Sequence, residues 1–281
     1  MKNNHALPLT VLMLSSLTLL TGYSCKNDGS SGGASSAATT QPLNDTGITD
    51  CATDRNGNLA CNDTFYGTTV FPGQDAEHGR DATLDDDSDG HAGFAFTKLG
   101  ADGSVLAIQS GAWDDNGSEA AGTKWSCIED VVTGLVWEVK TNNTVPDLHH
   151  GGWTYSWYSS DGATNGGNAG TADGGDNCFD GARCDTEKYV ADVNTAALCG
   201  YSDWRLPNRE VLRSIVDYSI ASPGPTIDSG WFPNTVNDWT WASSTHAAAA
   251  SLAVDVNFYD GSGNRSSKSS NNYVRLMRDA R

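Results

Sequence analysis

The chain has few basic residues, no Cys-x-x-Cys, no Gly-rich phosphate loop and no late apolar run long enough to cross a bilayer. Without Cys-x-x-Cys, neither a zinc ribbon nor a thioredoxin-like site is expected. A hydrocarbon core of roughly 30 Å needs about 18 consecutive apolar residues, and nothing beyond the first residues approaches that. Against 17 Lys and Arg stand 35 Asp and Glu, a net charge of −18 with an isoelectric point near 4.4. Such a surface repels polyanions, so nucleic acid is not an expected partner. The shortage is uneven: Arg265, Lys268, Arg275, Arg278 and Arg281 fall after His246 against three acids, which leaves room for a local cationic edge. No motif sets a base beside a nucleophile, and His149, His150 and the distant His246 lack transition-metal spacing. No catalytic residue is assigned, and the chain is not expected to be an enzyme.

What is present begins with an export signal. Lys2, the apolar run 6–20 and the small residues before Cys25 predict a signal peptide over 1–24. Gly22-Tyr23-Ser24-Cys25 resembles a bacterial lipobox, in which Cys25 would carry acyl chains. An aliphatic residue is usual where Gly22 stands, so cleavage by an ordinary signal peptidase is the alternative. Residues 25–49, rich in Ser, Gly, Ala and Thr, read as a flexible tether. The expected location is the bacterial envelope, as an outer-membrane lipoprotein or an extracellular protein, with membrane contact only through the lipid.

Setting Cys25 aside leaves six of the seven cysteines, and export makes disulfides the default. Sequence does not fix connectivity. Local spacing favours Cys51–Cys61 and Cys178–Cys184, which leaves Cys127 for Cys199.

Residues 50–126 form a Gly/Asp-rich region in which "GFAFTKL" and "SVLAIQSGAW" read as short strands, an appendage whose core is completed by residues beyond 126. From 127 the pattern sharpens. "GLVWEVK" alternates, with Leu135, Trp137 and Val139 on one face. A loop over 161–177 has no core-forming residue, a length usually functional or mobile. "DTEKYVADVNTAALCG" predicts a helix capped by Asp185 or Thr186 and stopped at Gly200, and "LPNREVLRSIVDYS" predicts a second, capped by Asn208. "DWTWASST", "SLAVDVNFYDG" and "NYVRLMRDA" read as strands, with "DGSGN" a hairpin turn between the last two. The fold class is α+β: two helices and curled antiparallel strands over 127–281, preceded by a small β-rich region.

Several clusters invite a functional reading. Asp203, Arg205 and Glu210 in "DWRLPNRE" could form an acid/base or ligand group. The favoured reading is architectural, with Trp204 in the core, Leu206 at the helix start, Pro207 before the cap, and Asp203 and Arg205 tying the loop down. Asp85-x-Asp87-x-Asp89-Gly90 spaces carboxylates as a calcium loop does, but Phe96 stands where the closing Glu belongs, so an acidic turn is the equal alternative. Ca2+ is the sole candidate cofactor. Trp153 and Trp157, in an alternating aromatic run, could stack on sugar rings or build the core.

Taken together, "C(x5)TGLVWEVK", "CGYSDWRLPNREVLRSIVDYS", "TIDSGWFPNT", "WTWASST" and "YVRLMR" resemble the Lcl C-terminal domain, named for the Legionella collagen-like protein. The resemblance covers roughly 127–281, and "FPGQDAEHGRDA" is similar to leader segments that accompany the domain. It implies a C-type-lectin-like fold. It also implies adhesion, through sulfated glycosaminoglycans and self-association, for which Arg265, Lys268, Arg275 and Arg278 are the candidate residues. The calcium-lectin triplets are missing: "VNDWTW" supplies Asn237 and Asp238 without the preceding Trp. Formylglycine-generating enzymes share an Arg-Leu-Pro motif and the fold, but need a reactive cysteine pair near the C-terminus, and no cysteine follows Cys199. The expectation is a surface recognition module for a glycan or another envelope protein; the alternatives are a structural envelope component that binds protein alone and, third, an uncharacterised enzyme on the same fold.

Overall fold

The computed structural model describes residues 44–62, 64–65, 68–69, 71–84, 87–143 and 146–280. The signal segment, Cys25, most of the tether and Asp85 lie outside them.

Successive strand residues face opposite ways, and β5 (Leu135–Glu138) uses both faces. Leu135 and Trp137, followed by Val139, enter one apolar cluster with Phe96, Leu212, Ile215, Phe232 and Phe258. Val136 enters a second with Tyr155, Trp157, Tyr189, Trp204 and Trp241. Full burial of such side chains contributes about 1.5–3 kcal/mol each, so the strand ties two cores together. It lies between β4 (Cys127–Asp130) and β9 (Met277–Asp279), with β3 (Phe96–Leu99) outside β4, in an antiparallel sheet ordered β3-β4-β5-β9. A second antiparallel sheet is ordered β6-β7-β8, from β6 (Trp239–Thr245), β7 (Leu252–Asn257) and β8 (Gly263–Ser267). Upstream, β1 (Thr64–Phe65) pairs with β2 (Thr68–Thr69). With the helices α1 (Thr186–Ala196) and α2 (Arg209–Arg213), this is the α+β layout expected from sequence.

The segment before residue 127 contributes to the sheet and the core. β3 pairs with β4 in full register, and Phe94, Phe96 and Trp125 belong to the first cluster. "SVLAIQSGAW" forms no strand: the Gln109 side chain binds both the amide and the carbonyl of Lys98, and Val105 and Ile108 are exposed. The end of the predicted tether is also built in. Tyr218 donates its amide to the Thr46 carbonyl, and Asp81 accepts the amides of Thr46 and Gly47.

Two boundaries differ from the sequence reading. Asp185 caps α1 by accepting the Lys188 amide, but the first left-handed residue is Ala197 (φ 51°), with Cys199 and Gly200 left-handed after Leu198. α2, capped by Asn208, ends at Arg213: the amides of Ser214 and Val216 still reach back to Glu210 and Arg213, but those of Asp217 and Tyr218 turn to Thr226 and Thr46. A third difference is topological. The "DGSGN" turn joins β7 to β8, a polar strand unreadable from its "GNRSS" sequence, while the "YVRLMR" segment continues into β9 and pairs with β5. The bridges are Cys51–Cys61 and Cys178–Cys184, the two pairs favoured by spacing, and Cys127–Cys199, the pair these leave.

Candidate functional site

The Asp-Trp-Arg-Leu-Pro motif closes on the last strand. Trp204 is buried, its indole N–H donates to the Leu198 carbonyl at 3.0 Å, and its backbone is bound on both sides by the Asn194 side chain. Arg205 exchanges backbone hydrogen bonds with Met277 and pairs with Asp279 at 2.7 Å. Asp203 pairs with Arg278 at 2.6 Å. Leu206 packs on the second cluster, and Pro207 accepts the Ser243 amide. Glu210 turns outward to Arg209. Asp203, Arg205 and Glu210 therefore do not converge.

The densest polar group is elsewhere and was not singled out from sequence. Glu138 and Lys140 lie on the Val136 side of β5 and its extension, beneath α1. Glu138 is fully buried, and its Oε1 accepts Lys140 Nζ at 2.8 Å, His149 Nδ1 at 2.9 Å and the Tyr189 hydroxyl. Its Oε2 accepts the Leu276 amide at 3.0 Å. Burial alone would raise this carboxyl, but Lys140 and His149 outweigh it and hold the group well below the usual range. Burial and the neighbouring Glu138 push Tyr189 well up, so the phenol stays protonated, and burial lowers Lys140. Four donors on one carboxylate fix the positions of these side chains. The signal that could have found the group is two charged residues at i, i+2 within a strand otherwise apolar on both faces.

The cations assigned to a surface edge are mostly internal, and this corrects the sequence reading. Arg265 is exposed, whereas Lys268, Arg275 and Arg278 are 2, 3 and 1 % exposed. Arg278 is taken by Asp203 and stacks on the Tyr201 ring. Arg275 donates to the Glu138 carbonyl and the Thr235 hydroxyl, and burial pulls it down to about 10. Lys268 donates to the carbonyls of Asn165 (2.9 Å) and Asn168 (2.6 Å) and to the Thr245 hydroxyl, with its ammonium 4.0 Å from the Trp157 ring centre. Trp157 is likewise core, its N–H on the Ala242 carbonyl, and so gives no stacking face to a ligand. Trp153 is half-buried, with its N–H on the Asp147 carbonyl. Burial of these side chains follows from their long apolar stems and rings, which pack while the polar tip finds an acceptor.

Lys268 instead organises the long loop. Residues 161–177 supply almost no apolar side chain, yet their carbonyls at 165 and 168 are held from beneath, and Thr171 donates its amide to the Trp157 carbonyl. Gly170 (φ 92°) permits that approach: a Cβ there would lie 2.2 Å from the Trp157 carbonyl oxygen. The loop leads into the Cys178–Cys184 ring, on which Phe179 is 48 % exposed. Asp161, Asp176 and Asp180 are exposed around it, and Asp173 pairs with Lys188. Phe179 carried no sequence signal beyond its place in a short cysteine-closed ring.

Of the calcium candidates, Asp87 and Asp89 are exposed. Asp87 accepts from His91 Nδ1 and the Ala92 amide, both at 3.1 Å. Among the described residues, which exclude Asp85, no group of three or more His, Cys, Asp or Glu is arranged to hold a metal ion. The other His91 nitrogen faces the Gly47 carbonyl at 3.1 Å. Burial opposes its charge, but Asp217 and Asp87 raise its pKa.

A disulfide-braced α+β domain with internally closed charges and a pinned polar loop is the class these features define. The family described as the Lcl C-terminal domain matches residues 126–278, more than half of the chain, and the chain belongs to that family. This membership fits a bacterial surface protein and carries no assigned activity. No curated protein matches the chain.

Proposed function

We propose that the chain is an exported, lipid-anchored surface protein whose C-type-lectin-like domain recognises a ligand through the 161–184 face and performs no chemistry. The observation that carries this reading is the Lys268 pin. A loop with no core of its own is held in one conformation by a buried ammonium, a disulfide and a glycine contact. Pre-ordering a polar loop lowers the entropy lost on binding. A rigid scaffold bearing such loops is the usual layout of a binding site. The face offers carboxylate and amide acceptors beside an exposed ring, a combination suited to glycan hydroxyls and C–H faces. The internal placement of Lys268, Arg275 and Arg278 argues against a sulfated polyanion and for a neutral or basic glycan.

A glycan array probed with the mature chain, with and without calcium, tests this. Selective retention of neutral or amino sugars, weakened at least tenfold by Phe179→Ala, is the expected result. Retention confined to sulfated glycans, or none on any glycan, contradicts it; in the second case the protein-binding envelope component becomes the better account.

A further inference from the structure

Arg275 stands apart from the other charges around Glu138. The two Glu138 carboxylate oxygens receive Lys140, His149, Tyr189 and the Leu276 amide, and none of these bonds comes from Arg275. Its own bonds go to a backbone carbonyl and a hydroxyl, both neutral, and it makes no ion pair among the described residues. Asp147, the other carboxylate near this group, is taken up by Thr141, Asn143 and the His149 amide. A guanidinium 3 % exposed thus has no direct ion pair: Glu138, the carboxylate whose charge reaches it, spends its oxygens on Lys140, His149, Tyr189 and the Leu276 amide, a costly arrangement in a low-dielectric interior.

Beside it lies a cavity of about 20 Å³, lined by Arg275, Lys140, Thr240, Tyr273 and the turn at Asn234, Thr235 and Val236. That volume suits a single water-sized occupant. The lining is rich in donors. Thr240, 4 % exposed, adds a hydroxyl to the lining. The amides of Asn234, Thr235 and Val236 donate to no backbone carbonyl among the described residues. Asn234 is left-handed (φ 58°), the conformation that turns successive N–H groups to one side and forms anion-holding concavities.

We propose that this cavity is a site for a small monatomic anion, chloride in physiological salt, held by Arg275, the Thr240 hydroxyl and the 234–236 amides. The anion would give Arg275 a directly bonded counter-charge and would join the loop carrying Asn234 to the segment before β9.

Two measurements on the mature chain test the site. Crystals soaked in sodium bromide should show an anomalous peak in the cavity between Arg275 and the 234–236 turn; a map with bromide only elsewhere, or water alone there, overturns the proposal. In solution, replacing sodium gluconate by sodium chloride at equal ionic strength should raise the wild-type Tm by about 3 °C, the order expected when a ligand binds only the folded state. Thr240→Val should fold and lose most of that rise, as should Arg275→Gln if it folds. An equal Tm in the two salts, or an undiminished rise in Thr240→Val, contradicts the assignment.

Discussion

Arg278, at 1 % exposure on the last strand, donates to both carboxylate oxygens of Asp203, a partner 75 residues earlier that sits at the start of the Asp-Trp-Arg-Leu-Pro motif. The bond fastens the chain's end to the approach of α2, and Arg205 with Asp279 repeats the link on the exposed side. Asp203→Asn should keep the neutral bond and lose the charge, lowering stability by about 1–3 kcal/mol. Arg278→Leu, which removes the buried cation altogether, should cost less than Asp203→Leu, which strands it. Urea unfolding of the three variants gives the order; an indifferent Asp203→Leu would remove the motif's structural role.

Glu138 should dominate the acid side of the stability curve. Its folded carboxyl is held below the usual range, so its contribution is complete above the ordinary Glu pKa of about 4.3 and falls as pH drops from there toward the folded value. Glu138→Gln leaves Lys140 without its partner and should lose about 3–5 kcal/mol at pH 7. The gap to wild type should narrow below pH ~4. Thermal unfolding across pH 3–7 checks both the size and the narrowing.

His91 acts in the opposite direction. Its pKa is raised in the fold, so its stabilisation is complete below the unfolded value of about 6.5 and is lost as pH rises through the folded value. Because the ring is partly solvated, the effect should be about 0.5–1 kcal/mol. Wild type and His91→Gln should differ at pH 5.5 and converge at pH 9; a constant difference would mean that only packing is involved.

The Cys127–Cys199 bridge closes a span of 72 residues and joins β4 to the left-handed turn after α1. Replacing both cysteines by Ser should cost about 2–5 kcal/mol, measured by denaturant midpoint under non-reducing conditions. Replacing Cys178 and Cys184 should leave the midpoint closer to wild type and act mainly on the Phe179 ring.

Much of this was legible in the sequence. The alternation in "GLVWEVK", the Asp185 and Asn208 caps and the spacing of the two short disulfides depend on local chemistry, and the structure has them where that chemistry puts them. What stayed hidden depends on tertiary partners. Lys268 and Arg275 look like surface cations until distant carbonyls and rings surround them. "GNRSS" has no strand signature because β7 supplies its pairing, and past the end of α2 the amides of Asp217 and Tyr218 turn to Thr226 and Thr46. Glu138 and Lys140 were visible as charges in an apolar strand, but Tyr189 and His149 complete the group from far along the chain.

Lys268, bonded to the carbonyls of Asn165 and Asn168, holds residues 161–177 in place. Hydrogen–deuterium exchange of wild type and Lys268→Met measures this restraint directly. Peptides from the loop should exchange at least tenfold faster in the variant, while β4 and β5 keep their protection. Equal loop protection in the two proteins would contradict the account.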